Sequence, residues 1–106
     1  MNKLFNYLEK EYKVRTPRSL ELFKRASRVM IRGGSHSLRL WKPYPFFPYS
    51  ARGAEVIDVD GNRYLDYWQG HYANILGHNP EFIRQAIEPY FNQGAFHTGL
   101  ESLSQV

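Results

Sequence analysis

Arg39 follows the pair Gly33-Gly34 in a stretch with neither helical nor strand periodicity. A guanidinium in such a segment can reach over a cleft and grip a carboxylate through two parallel hydrogen bonds. Taken alone, the same arginine also fits an ordinary solvated surface position. The four histidines, His36, His71, His78 and His97, have no mutual spacing that matches a zinc site, and each is read as a polar loop or helix-end residue. Asp58, Asp60 and Asp66 form an apparent carboxylate cluster, but Asp60 is explained by a tight turn and the other two by outward or edge positions in a hairpin. The Walker, dinucleotide, nucleophile-elbow and zincin patterns are all missing from the chain, so it carries no stand-alone catalytic motif.

The elements that would position Arg39 follow from periodicity. Leu4, Phe5, Leu8 and Tyr12 predict a short amphipathic helix over 3–12. Thr16-Pro17 reads as an N-cap followed by proline at the first helical position, where a missing N–H costs nothing. Leu22, Phe23, Ala26, Val29 and Met30 then form one stripe of a helix expected over 17–31, ended by Gly33-Gly34. From Ser35 to Ser50, three prolines interleave with Trp41, Tyr44, Phe46, Phe47 and Tyr49, so an irregular segment whose rings cover a core or a subunit surface is expected.

Val56–Val59 and Arg63–Tyr67 are β-prone runs around Asp60-Gly61-Asn62, which predicts a hairpin. Asn79-Pro80 opens a third helix with the stripe Phe82, Ile83, Ala86, Ile87, Tyr90 and Phe91; Pro89 should kink or end it, and Gly94 should close the element. Thr98 and Glu101 have capping-box spacing, so a fourth helix should open where the sequence stops, a pattern expected of a piece of something longer. The expected organisation is an arm over 1–16, a helix with a proline-aromatic loop over 17–50, and a hairpin with helices over 51–106.

Composition narrows the function classes. With 106 residues, 42% hydrophobic and 16% aromatic, the chain can form a packed core of α+β type, although a unit this small has a thin stability margin. It has no cysteine, hence no disulfide framework or thiolate metal site. No apolar run has signal-peptide or membrane-span length, so a soluble protein without a membrane partner is expected. Residues 1–42 carry eleven Lys/Arg against three Glu, whereas residues 43–106 carry three Arg against seven Asp/Glu. A small basic module binding an acidic or nucleic-acid partner is the alternative this asymmetry raises, but no nucleic-acid motif accompanies it.

The ordered residues Leu22-Phe23-Lys24-Arg25-Ala26, Gly33-Gly34, Arg39, Val59 through Tyr67, and Ile75-Leu76-Gly77-His78-Asn79-Pro80 carry a resemblance. "DVDGNRYLDY" followed by "LGHNP" resembles the opening of class III pyridoxal-phosphate aminotransferases, and "RGGSHSLR" is most similar to glutamate-1-semialdehyde aminomutases. The resemblance covers about residues 18 to 106. It implies the N-terminal helices, hairpin and following helix of a fold type I transferase, in a cytoplasmic homodimer acting on an amino-acid or amino-aldehyde substrate. It implies pyridoxal 5'-phosphate as the cofactor of the full-length enzyme, with the cofactor lysine outside these 106 residues. By the same resemblance Arg39 faces the substrate carboxylate, and His71 falls where the aminomutases place a tryptophan near the substrate. Gly77 and Asn79-Pro80 match the family's signature turn, a structural element.

Overall fold

The structure, a computed structural model, describes residues 2–91. Its regular elements are α1 (Asn2–Arg15), α2 (Pro17–Ala26), β1 (Pro48–Arg52), β2 (Glu55–Asp58), β3 (Arg63–Leu65), the four-residue turn α3 (Gln69–Tyr72) and α4 (Glu81–Phe91), with 3-10 turns at Ile31–Gly33 and Ser37–Arg39. The α+β class read from the sequence is the one observed. The chain divides into two compact units, Met1–Ala51 with Glu55–Asp66, and Arg52–Ala54 with Tyr67–Val106.

In the first unit the strands form one sheet in the order β1-β2-β3. β2 and β3 are antiparallel, pairing Glu55 with Leu65, Val56 with Tyr64 and Ile57 with Arg63, as the hairpin signal required. β1 lies in a stretch expected to be irregular. It is an edge strand that begins at a proline and buries none of its residues, so neither alternation nor burial marked it in the sequence.

α2 ends five residues before the expected 31. Beyond Ala26 the backbone tightens, with Arg28 N bonding to Arg25 O and Val29 N to Ala26 O, and Arg32 turns left-handed at φ 57°. Val29 and Met30, counted as part of the helix stripe, are exposed, so no packing holds the last turns in α form. Gly33 closes this region at φ +80°, where a Cβ would lie 2.6 Å from Ser27 Oγ and 2.7 Å from the Phe23 ring. That close approach seats the following loop directly on α2.

Thr16 holds the N-cap position of α2 but does not cap it. Its hydroxyl donates to Tyr12 O at 2.6 Å and meets the Tyr44 hydroxyl at 3.1 Å, and Thr16 is 1% exposed. The cap comes from the β2–β3 turn, where Asp60 accepts from Arg18 N at 2.7 Å, Ser19 N at 3.0 Å and Ser19 Oγ at 2.7 Å. A carboxylate at the positive end of the helix satisfies donors that the helix cannot satisfy itself.

The sequence reading placed Asp58 at an outward or edge position. It is instead among the most deeply buried side chains, 2% exposed. Oδ1 accepts from Asp60 N at 2.9 Å and Asn62 N at 2.8 Å, while Oδ2 accepts from Asn62 Nδ2 at 2.9 Å and Tyr64 OH at 2.8 Å. A buried carboxylate is tolerable because four donors replace its water shell. Asn62 Nδ2 also donates to Arg15 O at 2.8 Å, which ties the turn to the end of α1.

The aromatic segment packs as expected at its centre and not at its ends. Tyr44 is buried against Tyr12, at 5.2 Å between ring centroids, and Phe23, at 6.3 Å. Phe46 stacks on Tyr64 at 4.5 Å and meets the edge of Trp41 at 5.5 Å. Tyr49 and Trp41, by contrast, are exposed. Tyr44 and Val56 are the buried hydrophobic residues among those described, so buried polar groups carry an unusual share of the unit's order.

In the second unit, Gly53 and His78 form an antiparallel bridge, with Gly53 N to His78 O at 2.9 Å and His78 N to Gly53 O at 2.7 Å. Gly77 sits at φ +79°, and a Cβ there would lie 2.9 Å from Gly53 O. The glycine of the signature turn is therefore required twice, for its backbone conformation and for this close approach. α4 starts after Asn79-Pro80 and runs through Pro89 to Phe91 rather than ending at the proline. Phe82, Ile83 and Phe91 on its apolar stripe are exposed. Gly94, His97 and the capping box of Thr98 and Glu101 lie outside the described residues.

Candidate functional site

Arg39 ends the 3-10 turn Ser37–Arg39, and its exposed position follows from how that turn is held. His36 Nδ1 accepts from Leu38 N at 3.2 Å and caps the turn, while Arg39 N bonds to His36 O at 3.0 Å. Gly34 runs extended so close to Leu40 that a Cβ would lie 2.6 Å from Leu40 Cδ2. The loop is thus pinned on α2 through Gly33 and folded on itself through Gly34. The guanidinium is steadied at one corner, Nη1 donating to Ser35 Oγ at 3.0 Å. This is an arginine on a preformed turn with most of its donor fork directed to solvent, a geometry suited to a carboxylate.

His71 belongs to the second unit and is exposed. It lies within α3 at φ 66° and ψ 39°, a left-handed conformation, with its imidazole and the Trp68 ring in an edge-to-face pair at 4.5 Å. His78, read as a polar loop or helix-end residue, serves as scaffold through its backbone bridge to Gly53. Among the described residues no group of His, Asp and Glu could hold a metal ion. No helix among them is long and apolar enough to cross a membrane.

The electrostatics of the first unit centre on Asp58. Burial pushes its carboxyl up, but the hydrogen bonds from the Asn62 side chain, Tyr64 and the Asn62 and Asp60 amides outweigh that and hold it below the usual carboxylate range. Burial, with donation to Asp58, drives the Tyr64 phenol far above its ordinary value, and burial likewise raises Tyr12. These groups are fixed in one protonation state near neutral pH and serve as structural members. Sequence reasoning missed this polar core, although the spacing Asp58-Asp60-Asn62 around Gly61 carried its signal: alternate polar residues in a tight turn can point to one side.

Comparison with known proteins decides what the loop and turn belong to. Glutamate-1-semialdehyde 2,1-aminomutase of Methanococcoides burtonii is 42% identical over 87 residues, covering 79% of this chain and 21% of that protein. A β-phenylalanine aminotransferase from Variovorax paradoxus superposes with a TM-score of 0.78 at 28% identity, over 90% of this chain and 22% of its own. Most of this chain is thus similar to glutamate-1-semialdehyde aminomutases in sequence and to pyridoxal-phosphate aminotransferases in structure. A further aminotransferase structure, a transaminase with PLP bound, matches at a TM-score of 0.74 and 32% identity over 83% of this chain and 20% of that one. No family model matches the sequence. The chain spans about one fifth of the length of the relatives it matches, and the reading as a free-standing basic module is not favoured.

Pyridoxal phosphate is the expected cofactor of the full-length enzyme, but the residues present do not fit it as an anchor. A lysine that condenses with the cofactor aldehyde must lose its proton near neutral pH, which desolvation or a neighbouring cation achieves. The chain has five lysines, Lys3, Lys10, Lys13, Lys24 and Lys42, and every one is exposed. None of them offers the cofactor a desolvated anchoring amine within this segment.

Proposed function

We propose that the full-length protein carrying this segment transfers an amino group on an amino-acid or amino-aldehyde substrate, as a cytoplasmic homodimer. The segment lends it part of the substrate side. The observation that carries this reading is 42% identity to an aminomutase across 79% of the chain. In this reading Arg39 binds and orients the substrate carboxylate, and His71 lies beside the substrate as a hydrogen-bonding group.

The pinned loop supports the role of Arg39. Gly33 and Gly34 fix the turn before any substrate arrives, so little ordering entropy remains to be lost on binding. The fork of a guanidinium fixes direction as well as distance, and holding a substrate by its carboxylate sets which of its other atoms can react.

Steady-state kinetics of the full-length protein test this. Replacing Arg39 with Ala should raise KM for a carboxylate-bearing substrate roughly 10- to 150-fold, the loss expected for hydrogen bonds to a charged group. An amine substrate without a carboxylate should be affected little. Arg39→Lys should recover only part of the loss, because an ammonium cannot form the two parallel bonds. An unchanged KM for the carboxylate substrate in Arg39→Ala would remove Arg39 from the site.

A further inference from the structure

All four residues of α3 have positive φ: Gln69 at 46°, Gly70 at 59°, His71 at 66° and Tyr72 at 65°. Three of them carry side chains, for which a left-handed backbone is sterically disfavoured, and consecutive non-glycine residues in this region are rarer still. Such a run persists only where its surroundings over-determine it. Tyr72 N bonds to Trp68 O at 3.0 Å, Asn74 N to Gln69 O at 3.0 Å and Gly77 N to Asn74 O at 2.8 Å. These bonds hold the backbone between Trp68 and the Gly77 turn.

The left-handed turn curls the chain back on the residue that precedes it. The His71 imidazole meets the Trp68 indole at 4.5 Å and 61°, and the Tyr72 ring lies 6.0 Å from the same indole at 38°. This cluster is not a core, since Trp68 is 49% and Tyr72 71% exposed and His71 is exposed as well. Hydrophobic burial therefore does not account for the strained backbone. What the turn does achieve is one orientation for the imidazole, set by an edge-to-face contact that constrains ring direction.

We propose that Trp68 is a positioning residue for His71: its indole fixes the imidazole so that a ring nitrogen meets the substrate. This rests on the reading that His71 lies beside the substrate. Imidazole can donate from one nitrogen and accept at the other, so a fixed ring gives the substrate a hydrogen-bond partner of defined direction. A mobile ring would have to be ordered at each binding event.

A double-mutant cycle in the full-length protein tests the proposal, with kcat/KM and KM measured for the parent, Trp68→Leu, His71→Ala, the double variant and Trp68→Phe. An edge-to-face contact accounts for a factor of about 2 to 10. Trp68→Leu should lower kcat/KM by that factor, and Trp68→Phe, which keeps an aromatic face, should recover most of it. In the His71→Ala background Trp68→Leu should have no further effect. Effects that multiply in the double variant would overturn the positioning role, because a purely structural contribution acts whether or not the imidazole is present. If His71→Ala itself leaves kcat/KM unchanged, the substrate-side reading of His71 fails and the positioning role fails with it. If His71→Ala is impaired while Trp68→Leu matches the parent, only the positioning role is lost. Should Trp68→Leu not accumulate as folded protein, Trp68→Phe with and without His71→Ala gives the same coupling from a milder change.

Discussion

Replacing Asp58 with Ala removes an acceptor that four donors share, and the consequences differ by donor. Tyr64 OH can rotate toward another acceptor, and Asn62 Nδ2 keeps its bond to Arg15 O at 2.8 Å. The amides of Asp60 and Asn62 have no such freedom, because the turn backbone fixes both on Oδ1 at 2.9 and 2.8 Å. At 2% exposure, water cannot simply replace the lost oxygen. Two orphaned part-buried amides at about 1.5 to 2 kcal/mol each give a cost of at most about 3 to 4 kcal/mol. Native-state hydrogen exchange of the full-length protein reads this directly, since every ~1.4 kcal/mol is a factor of ten. The Asp60 and Asn62 amides should exchange roughly 100- to 1,000-fold faster in Asp58→Ala. Asp58→Asn retains the Oδ1 acceptor and should cost less than about 2 kcal/mol, chiefly by turning an NH2 toward Asn62 Nδ2. If these amides in Asp58→Ala exchange within about threefold of the parent, the carboxylate does not organise the turn and the reasoning is wrong.

The same group sets an acid limit. Because its folded pKa lies below the unfolded value of about 3.9, the stability that Asp58 contributes is present above that value and is lost as pH falls through the folded pKa; equilibrium denaturation below about pH 4 should show a steeper loss in the parent than in Asp58→Asn. Gly77→Ala should destabilise by more than about 1 kcal/mol through left-handed strain alone, with added loss from the clash on Gly53, and the Gly53 and His78 amides should lose exchange protection ahead of those in β2. These 106 residues in isolation should bind a hydrophobic dye and melt over a broad range, since Leu4, Phe5, Leu8, Ile75, Leu76 and Phe82 are exposed; a sharp two-state transition without dye binding would contradict that.

Much of the fold was legible in local chemistry. Asp60-Gly61-Asn62 between β-prone runs fixed the hairpin, Asn79-Pro80 marked the start of α4, and Gly77 marked a turn that only glycine can make. Each of these depends on a few neighbouring residues, so a short window carries the whole signal. Arg39 stood out for a similar reason, as a charged fork in a segment that glycines free from regular structure, and the structure places it, exposed, at the end of a 3-10 turn.

What sequence spacing could not decide was which groups meet across distance. Thr16 had the type and place of an N-cap, yet its hydroxyl turned inward to Tyr12 and Tyr44, and Asp60, 42 residues from Arg18, took over the cap. Asp58 looked like a solvated strand residue until four donors closed around it. The sequence settled where the chain turns because turning is a property of local backbone sterics. Only the tertiary structure settled which polar groups are buried, because a hydrogen bond exists by virtue of the partner brought to it, and here the partners of Asp60 arrive from another element of the chain.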